Sequence, residues 1–391
     1  MGERTTRVMN ALSHQATDRT PLCENFQRYH PIHWPVCGHT IATDEAMCWD
    51  ARADGVAWEE LLEAEVRAAF QINRFFDMDM VRLHGAPRRD YKRPVKIGKA
   101  SWTLDGVEYV LNERTKLVEL ANPAATDAYS HHMTEEKVRA QIEAWDGRMK
   151  EIPSEPDLLY ARVRAMAEAE GLDWVYMGEA GAGTGVAFYP DFMLMWMLAE
   201  PELYERWLAM QKASVFPWTR SLIRQGHPVI AMGGDVSCDK GPFISPDLYH
   251  RYLLPAIREH VRIIHEEGAT AVYTSDGNHW PIKEDFFFNS GIDGYLEVDK
   301  AAGMTMERLI AEGVADRVCI IGNLDARHML CHGRPDEVRV EVRECLRLGR
   351  QCRGGHILHA SHSVHEDVKA ENYLTAVNTY REYFGLPLLA W

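Results

Sequence analysis

Carboxylates and imidazoles recur at one kind of place in this sequence, directly after short apolar runs. Glu24 closes Pro21-Leu22-Cys23, His84 follows Met78 to Leu83, and Glu179 follows Trp174-Val175-Tyr176-Met177-Gly178. Asp235 comes after Val229-Ile230-Ala231-Met232, Asp276 after Ala271-Val272-Tyr273-Thr274, and Glu297 with Asp299 after Gly294-Tyr295-Leu296. Asp325 follows Cys319-Ile320-Ile321, and His359 with His362 follows His356-Ile357-Leu358. Oxygen and nitrogen donors that converge can hold a divalent cation or pass protons. A carboxylate at a turn also caps the helix behind it, which explains many of these residues singly but not the whole series. Glycines stand beside several of them, as in Gly233-Gly234-Asp235 and Asp276-Gly277-Asn278, where a backbone without Cβ lets a ligand approach.

Other side chains join this set by position. His279 and Trp280 directly follow Asp276-Gly277-Asn278, so they are expected at the same site, His279 as a proton donor and Trp280 as a flat wall. Tyr189, in the run Phe188 to Met197, is expected to contact substrate under an apolar lid. Arg28, Arg74 and Arg82 are the cations that could hold a substrate's acidic groups, and His84, His359 and Asn323 complete the expected substrate contacts. His30, His33, Cys37 and His39 have spacing that would permit zinc, but no second half of a finger follows, and a loop lining the mouth is the preferred reading.

The apolar runs themselves are short and mostly separated by segments of helical period, such as Tyr249 to Glu267 and Pro335 to Leu348. Alternating β and α segments imply a parallel sheet, and eight runs is the number that closes a barrel. The expected fold is therefore α/β, a (β/α)8 TIM barrel formed by residues 1–391 as one domain. Ser101 to Leu111 places two strand-like runs around Asp105-Gly106, the signal for a β-hairpin. With a polar helix over about Thr134 to Trp145, this makes an insertion over about residues 90–150, between the second and third strands, with the helix expected outside the core. An open doubly wound sheet is the alternative, but it should carry a glycine-rich phosphate loop after its first strand, and none stands there.

In a barrel the residues just after each strand line one mouth, so the repeated acids and histidines describe a site. Bulk properties narrow its partners. A net charge of −15, from 58 acidic against 43 basic residues, repels a phosphate backbone and argues against nucleic acid. No run approaches the ~20 apolar residues of a membrane span. Residues 1–20 lack a secretory apolar core, and the eight cysteines have no CxxC spacing; a cytoplasmic protein with free thiols is expected.

Specific motifs then accumulate: Arg7-Val8-Met9-Asn10-Ala11-Leu12 leading to Asp18-Arg19-Thr20-Pro21, Gly234-Asp235 with Ser245-Pro246-Asp247-Leu248-Tyr249, Asp276-Gly277-Asn278, Gly322-Asn323-Leu324-Asp325, Gly354-Gly355-His356-Ile357-Leu358 and Glu371-Asn372. Together they resemble the uroporphyrinogen decarboxylase superfamily, which holds the decarboxylase and methyltransferases serving corrinoid proteins. The resemblance implies a (β/α)8 barrel and ranks Asp276 and His362 first as catalytic residues, with Asp79 matching the decarboxylase's essential aspartate. It also shows departures. The decarboxylase's Arg-Gln-Ala-Gly-Arg segment has no counterpart after Pro21, and Asp276, Thr274 and His362 stand where thiol-directed methyltransferases have cysteine, histidine and cysteine ligands.

A carboxylate and imidazole set is harder than a thiolate pair and suits an oxygen substrate. The expected activity is methyl transfer from a small methoxylated donor to a corrinoid carried by a partner protein. Zn2+ would be held by Asp276, His362 and an acid among Glu179, Asp235 and Glu297. A metal-independent decarboxylase and a non-catalytic ligand-binding barrel are the alternatives. A homodimer is compatible with a chain of this size.

Overall fold

The computed structural model describes residues 2–122, 134–153, 156–181 and 190–391. Eight parallel strands form its central sheet in chain order: β1 Cys23–Glu24, β2 Met80–Arg82, β3 Val175–Glu179, β4 Val229–Gly233, β5 Thr270–Thr274, β6 Gly294–Leu296, β7 Cys319–Ile321 and β8 His356–Ile357. The seam closes between the ends of the series. Leu22 bridges Leu358, with Cys23 N–H donating to Leu358 O at 3.1 Å and Leu358 N–H to Pro21 O at 2.9 Å. Each of the eight apolar runs of the sequence contributes one strand, and the fold is a (β/α)8 barrel.

Alternation along the strands sorts side chains into two layers. Met80, Val175, Met177, Val229, Ala231, Val272, Leu296, Ile321 and Ile357 pack together in the interior, while Val81, Trp174, Tyr176, Ile230, Tyr273 and Tyr295 pack under the surrounding helices. The interior set is completed by Val8, Ala11 and Leu12 of the helix Glu3–Leu12. This helix therefore plugs the end of the barrel where the strands begin. The same alternation carries Arg82, Glu179, Thr274 and His359 to the inward positions where the strands end.

An ionic cluster fastens that plug. Asp79, fully buried just before β2, accepts from Arg7 at 2.5 Å, from Arg19 at 2.8 and 3.0 Å and from the Leu22 N–H at 2.9 Å. Arg7 also pairs with Asp18 at 2.6 Å. The motif residues Arg7, Asp18 and Arg19 thus form one lock at the strand-start end. The expectation that Asp79 is catalytic is corrected here: it lies at the opposite end from the mouth, with its oxygens used by two guanidinium groups.

Between β2 and β3 the chain builds a four-stranded antiparallel sheet from Val95–Gly98, Ser101–Leu104, Val107–Leu111 and Val118–Leu120. The Asp105-Gly106 turn joins its two central strands. Trp102 docks the sheet, buried and donating to Asp50 at 2.9 Å. The helix Glu135–Ala144 follows, capped by Thr134. It does not lie outside the core, as its polar composition suggests, because Val138 and Ile142 insert into the apolar cluster that contains Trp196 and Trp207.

Candidate active site

Three loops deliver donors to one point at the mouth. The loop after β5 carries Asp276, the loop after β6 carries Glu297 and Asp299, and the loop after β8 carries His362. Glu297 sits at φ +69, in the left-handed region, so the chain turns sharply there before Val298 and Asp299. Asp299 is buried and fixed: its Oδ1 accepts from the Ala301 N–H at 2.9 Å and its Oδ2 from Arg327 at 3.3 Å. Arg327 in turn grips Asp239, of the loop after β4, at 2.8 and 3.2 Å.

His362 stands between two acids. Its Nδ1 is 3.4 Å from Asp276 Oδ2, and its Nε2, which has no hydrogen-bond partner, is 3.7 Å from Asp299 Oδ2. One donor atom from each of Asp276, Asp299 and His362 lies within 4.8 Å of the others, a grouping that can hold a metal ion.

Charge at this point is one-sided. Burial and then the neighbouring Asp235 push Asp276 up to about 6, against the pull of His362. Asp235 is itself raised, by burial and then by Glu297. Burial works against the charge of Asp299 too, but His362, Arg327 and the Ala301 N–H outweigh it and hold its pKa below the usual range. His362 is raised despite its burial, because Asp299 and Asp276 favour the imidazolium.

Arg82 divides the acids. It pairs with Glu179 and, at 3.1 Å, with Glu297, joining the ends of β2, β3 and β6. Glu179 and Glu297 are therefore committed to a guanidinium, whereas Asp276, Asp299 and His362 face one another. Asp299, a strand-end residue by sequence, takes the donor place expected of Glu179, Asp235 or Glu297. The Glu297-Val298-Asp299 spacing was the available signal. Arg327 was not anticipated, since only the fold brings the loop after β7 against the loops after β4 and β6.

Beneath the mouth lies a neutral floor. His359, buried beside Glu24, has its Nε2 3.3 Å from Glu24 Oε1 and donates from Nδ1 to Ala360 O. Burial pushes the Glu24 carboxyl up to about 8 and His359 down to about 3. Asn25 and Ala360 N–H groups donate to the two Glu24 oxygens at 2.9 and 3.3 Å. The carboxylic proton of Glu24 is then the one available to the bare Nε2. His359 is a support of the loop bearing His362, not the substrate contact expected of it.

Several other expectations are corrected by burial. His279 is fully buried, stacked on Phe286 at 4.3 Å, with Nδ1 on Ser237 Oγ at 2.8 Å and Nε2 on Ser275 O at 3.2 Å; its pKa falls to about 4 by burial, so it braces the Asp276 loop and donates no proton to a ligand. Trp280 is buried too, bonded to Gly303 O at 2.9 Å under Arg308, and lines no mouth. The buried Asn323 donates to Met304 O at 3.2 Å, a link between loops rather than a substrate contact. Arg74 pairs with Glu170 at 2.6 Å on the outer surface.

Arg28 pairs with Glu65 at 3.2 Å, and His84 donates to Phe26 O at 2.8 Å on the rim. His30 and His33 are held by Val368 O and Gln27 O, and Cys37 by Ala68 O, as loop structure. Tyr189 lies outside the described residues. No helix among the described residues is long and apolar enough to cross a membrane.

Comparison with known proteins adds two findings. A family model described as uroporphyrinogen decarboxylase (URO-D) matches residues 159–383, more than half of the chain, including every element from β3 to β8. Among solved structures, a methyltransferase from Methanosarcina mazei superposes with a TM-score of 0.62 at 16% identity, covering 97% of this chain and 99% of that one. At that identity the likeness concerns the fold. No curated protein matches.

Proposed function

The chain belongs to the uroporphyrinogen decarboxylase family, and from that premise we propose that it is a methyltransferase taking a methyl group from a small methoxylated donor to a corrinoid on a separate carrier protein. The observation that carries this reading is the grouping of Asp276, Asp299 and His362 within 4.8 Å. The unpartnered, buried Nε2 of His362 is an independent sign that the group is built to receive something. Two carboxylates and an imidazole fit Zn2+, and their hardness suits an oxygen-bearing donor better than a thiol. Bound there, the ion would supply Lewis acidity to the donor's ether oxygen.

The chain's own residues do the rest by position. Asp299, pinned by Ala301 N–H and Arg327, and Asp276, on a loop braced by His279 and Ser237, keep their oxygens on either side of His362. Arg82 draws Glu179 and Glu297 aside so that they do not compete for the same place. The Glu24–His359 pair holds the loop that presents His362.

The charge balance weighs against decarboxylation of a polycarboxylate. Glu179, Asp235, Asp276, Glu297 and Asp299 gather at the mouth, where Arg82 and Arg327 are already paired with them or with Asp239, and Arg28 on the rim is paired with Glu65. A substrate bearing several carboxylates would be repelled.

Elemental analysis of the purified protein, followed by spectroscopic assay of corrinoid methylation with methoxylated donors, tests the reading. Stoichiometric zinc and donor-dependent methylation are expected. Full methylation activity in metal-free protein would remove the zinc, and carbon dioxide release from a carboxylated substrate without methyl transfer would overturn the reading.

A further inference from the structure

The insertion after β2 carries a pocket apart from Asp276, Asp299 and His362. The helix Glu45–Asp54, the helix Trp58–Phe75, residues 87–92 and Leu104 of the inserted sheet surround about 430 Å3, within the roughly 300–1,000 Å3 of small-molecule sites. Its frame is preset. Trp58 Nε1 donates to Pro87 O at 2.8 Å, the Tyr91 hydroxyl to Val56 O at 2.5 Å and Arg52 Nη2 to Lys92 O at 2.9 Å, so the segment 87–92 is tied down along its length before a ligand arrives.

Four cations, Arg28, Arg52, Arg88 and Lys92, line this pocket with two acids, Glu65 and Asp90, against the trend of a chain whose net charge is −15. Arg28 is paired with Glu65 at 3.2 Å. Arg88 pairs with Asp90 at 2.8 Å and Lys92 with Asp105 at 2.6 Å, but every side chain in these two pairs is at least 60% exposed, and such pairs exchange readily for another anion. Arg52 pairs with no carboxylate among the described residues. Its guanidinium is held over Trp49 at 5.4 Å and Tyr91 at 5.2 Å, with Nη2 taken by Lys92 O and Nε buried, which leaves Nη1 accessible and without an acceptor. Glu45, the further acid near Arg52, is engaged elsewhere: Oε1 accepts from Trp49 at 3.3 Å and Oε2 from the Val118 N–H at 2.8 Å.

The remaining lining gives the ligand its form. Leu61, Pro87, Tyr91 and Leu104 offer apolar surface next to the cations. We infer that this pocket binds a small organic phosphate monoester, its head taken by Arg52 Nη1 with Arg88 and Lys92, and its uncharged body set against Leu61, Pro87, Tyr91 and Leu104. Donors from three separate side chains match the three terminal oxygens of a phosphate better than the two of a carboxylate. Asp276, Asp299 and His362 take no part, so the inference stands or falls independently of methyl transfer.

Calorimetric titration of the full-length protein at about pH 8, where a phosphate monoester is a dianion, tests it with phenyl phosphate, benzoate, phenol, inorganic phosphate and oligothymidylate as probes. Phenyl phosphate should bind at least about tenfold tighter than benzoate or phenol, which lack the dianionic head, and than inorganic phosphate, which lacks the body. Arg52→Met should lose about tenfold or more. Asp90→Asn frees Arg88 and should tighten binding about two- to threefold, a gain that no folding defect produces. Benzoate binding as tightly as phenyl phosphate, full affinity in Arg52→Met, no gain in Asp90→Asn, or oligothymidylate binding more tightly than phenyl phosphate would each overturn the proposal. Loss of phenyl phosphate binding on treatment with a zinc chelator would do so too, because it would put the phosphate at the mouth.

Discussion

The two ends of this barrel use the same residue types to opposite ends. Where the strands begin, Asp79 receives two arginines and a backbone N–H, and its carboxylate is balanced, buried and inaccessible. Where the strands end, acids outnumber their cations, Asp276 is pushed up to about 6, and His362 keeps a bare nitrogen. A buried charge with its full complement of partners is architecture; one left short of partners is poised for a ligand.

The largest expected effect breaks the balanced end. Asp79→Ala strands Arg7 and Arg19 without their counter-ion and should cost about 3–5 kcal/mol of stability by urea denaturation. Zinc affinity of the folded fraction should be unchanged; a parallel loss would mean the two ends are not independent. At the mouth, His362→Ala should weaken zinc binding on the order of a hundredfold, read by competition with a chromophoric chelator. Its unfolding free energy should move by less than about 1 kcal/mol. Stability lost without zinc affinity lost would make His362 architecture after all.

The floor gives a subtler contrast. A carboxyl held at about 8 in the folded state but ionising near 4.5 when unfolded contributes stability that is complete below 4.5 and lost as pH rises towards 8. His359, depressed from 6.5 to about 3, contributes stability lost as pH falls through that interval. Glu24→Gln should therefore flatten the decline between pH 5 and 8 by about 2 kcal/mol while leaving the acid limb in place; identical slopes would show that Glu24 is ionised when folded. The smallest effect is a gain. Asp235→Asn removes one like charge beside Asp276 and should stabilise by about 0.5–1 kcal/mol in the metal-free protein.

How much of this was legible in the sequence depends on which physical signal each residue left. Short apolar runs spaced by helical segments disclosed the strands, since parallel strands buried on both faces must be apolar throughout. Position after a strand placed Asp276 and His362 together. It does not say which way a side chain turns once past the strand: His359 turns to the floor, while His279 and Trp280 turn inward to brace neighbouring loops. Asp79 illustrates a different blindness: an acid beside an apolar run serves the mouth only if it follows the strand, and Asp79 precedes Met80–Arg82. Asp299 was overlooked as a donor because Glu297 claims the first position after β6, and the left-handed turn at Glu297 that hands the role to its neighbour leaves no mark in composition.

The seam between β1 and β8 has a consequence in time. Glu24 and Ala360, 336 residues apart, are joined across it by a hydrogen bond. During synthesis the β1 edge waits unpaired until nearly the whole chain has left the ribosome, and contacts this distant in sequence form slowly. His362 is delivered by the last strand to arrive. Every truncated or half-folded species therefore lacks a complete mouth, and the grouping of Asp276, Asp299 and His362 exists only in molecules that have finished folding.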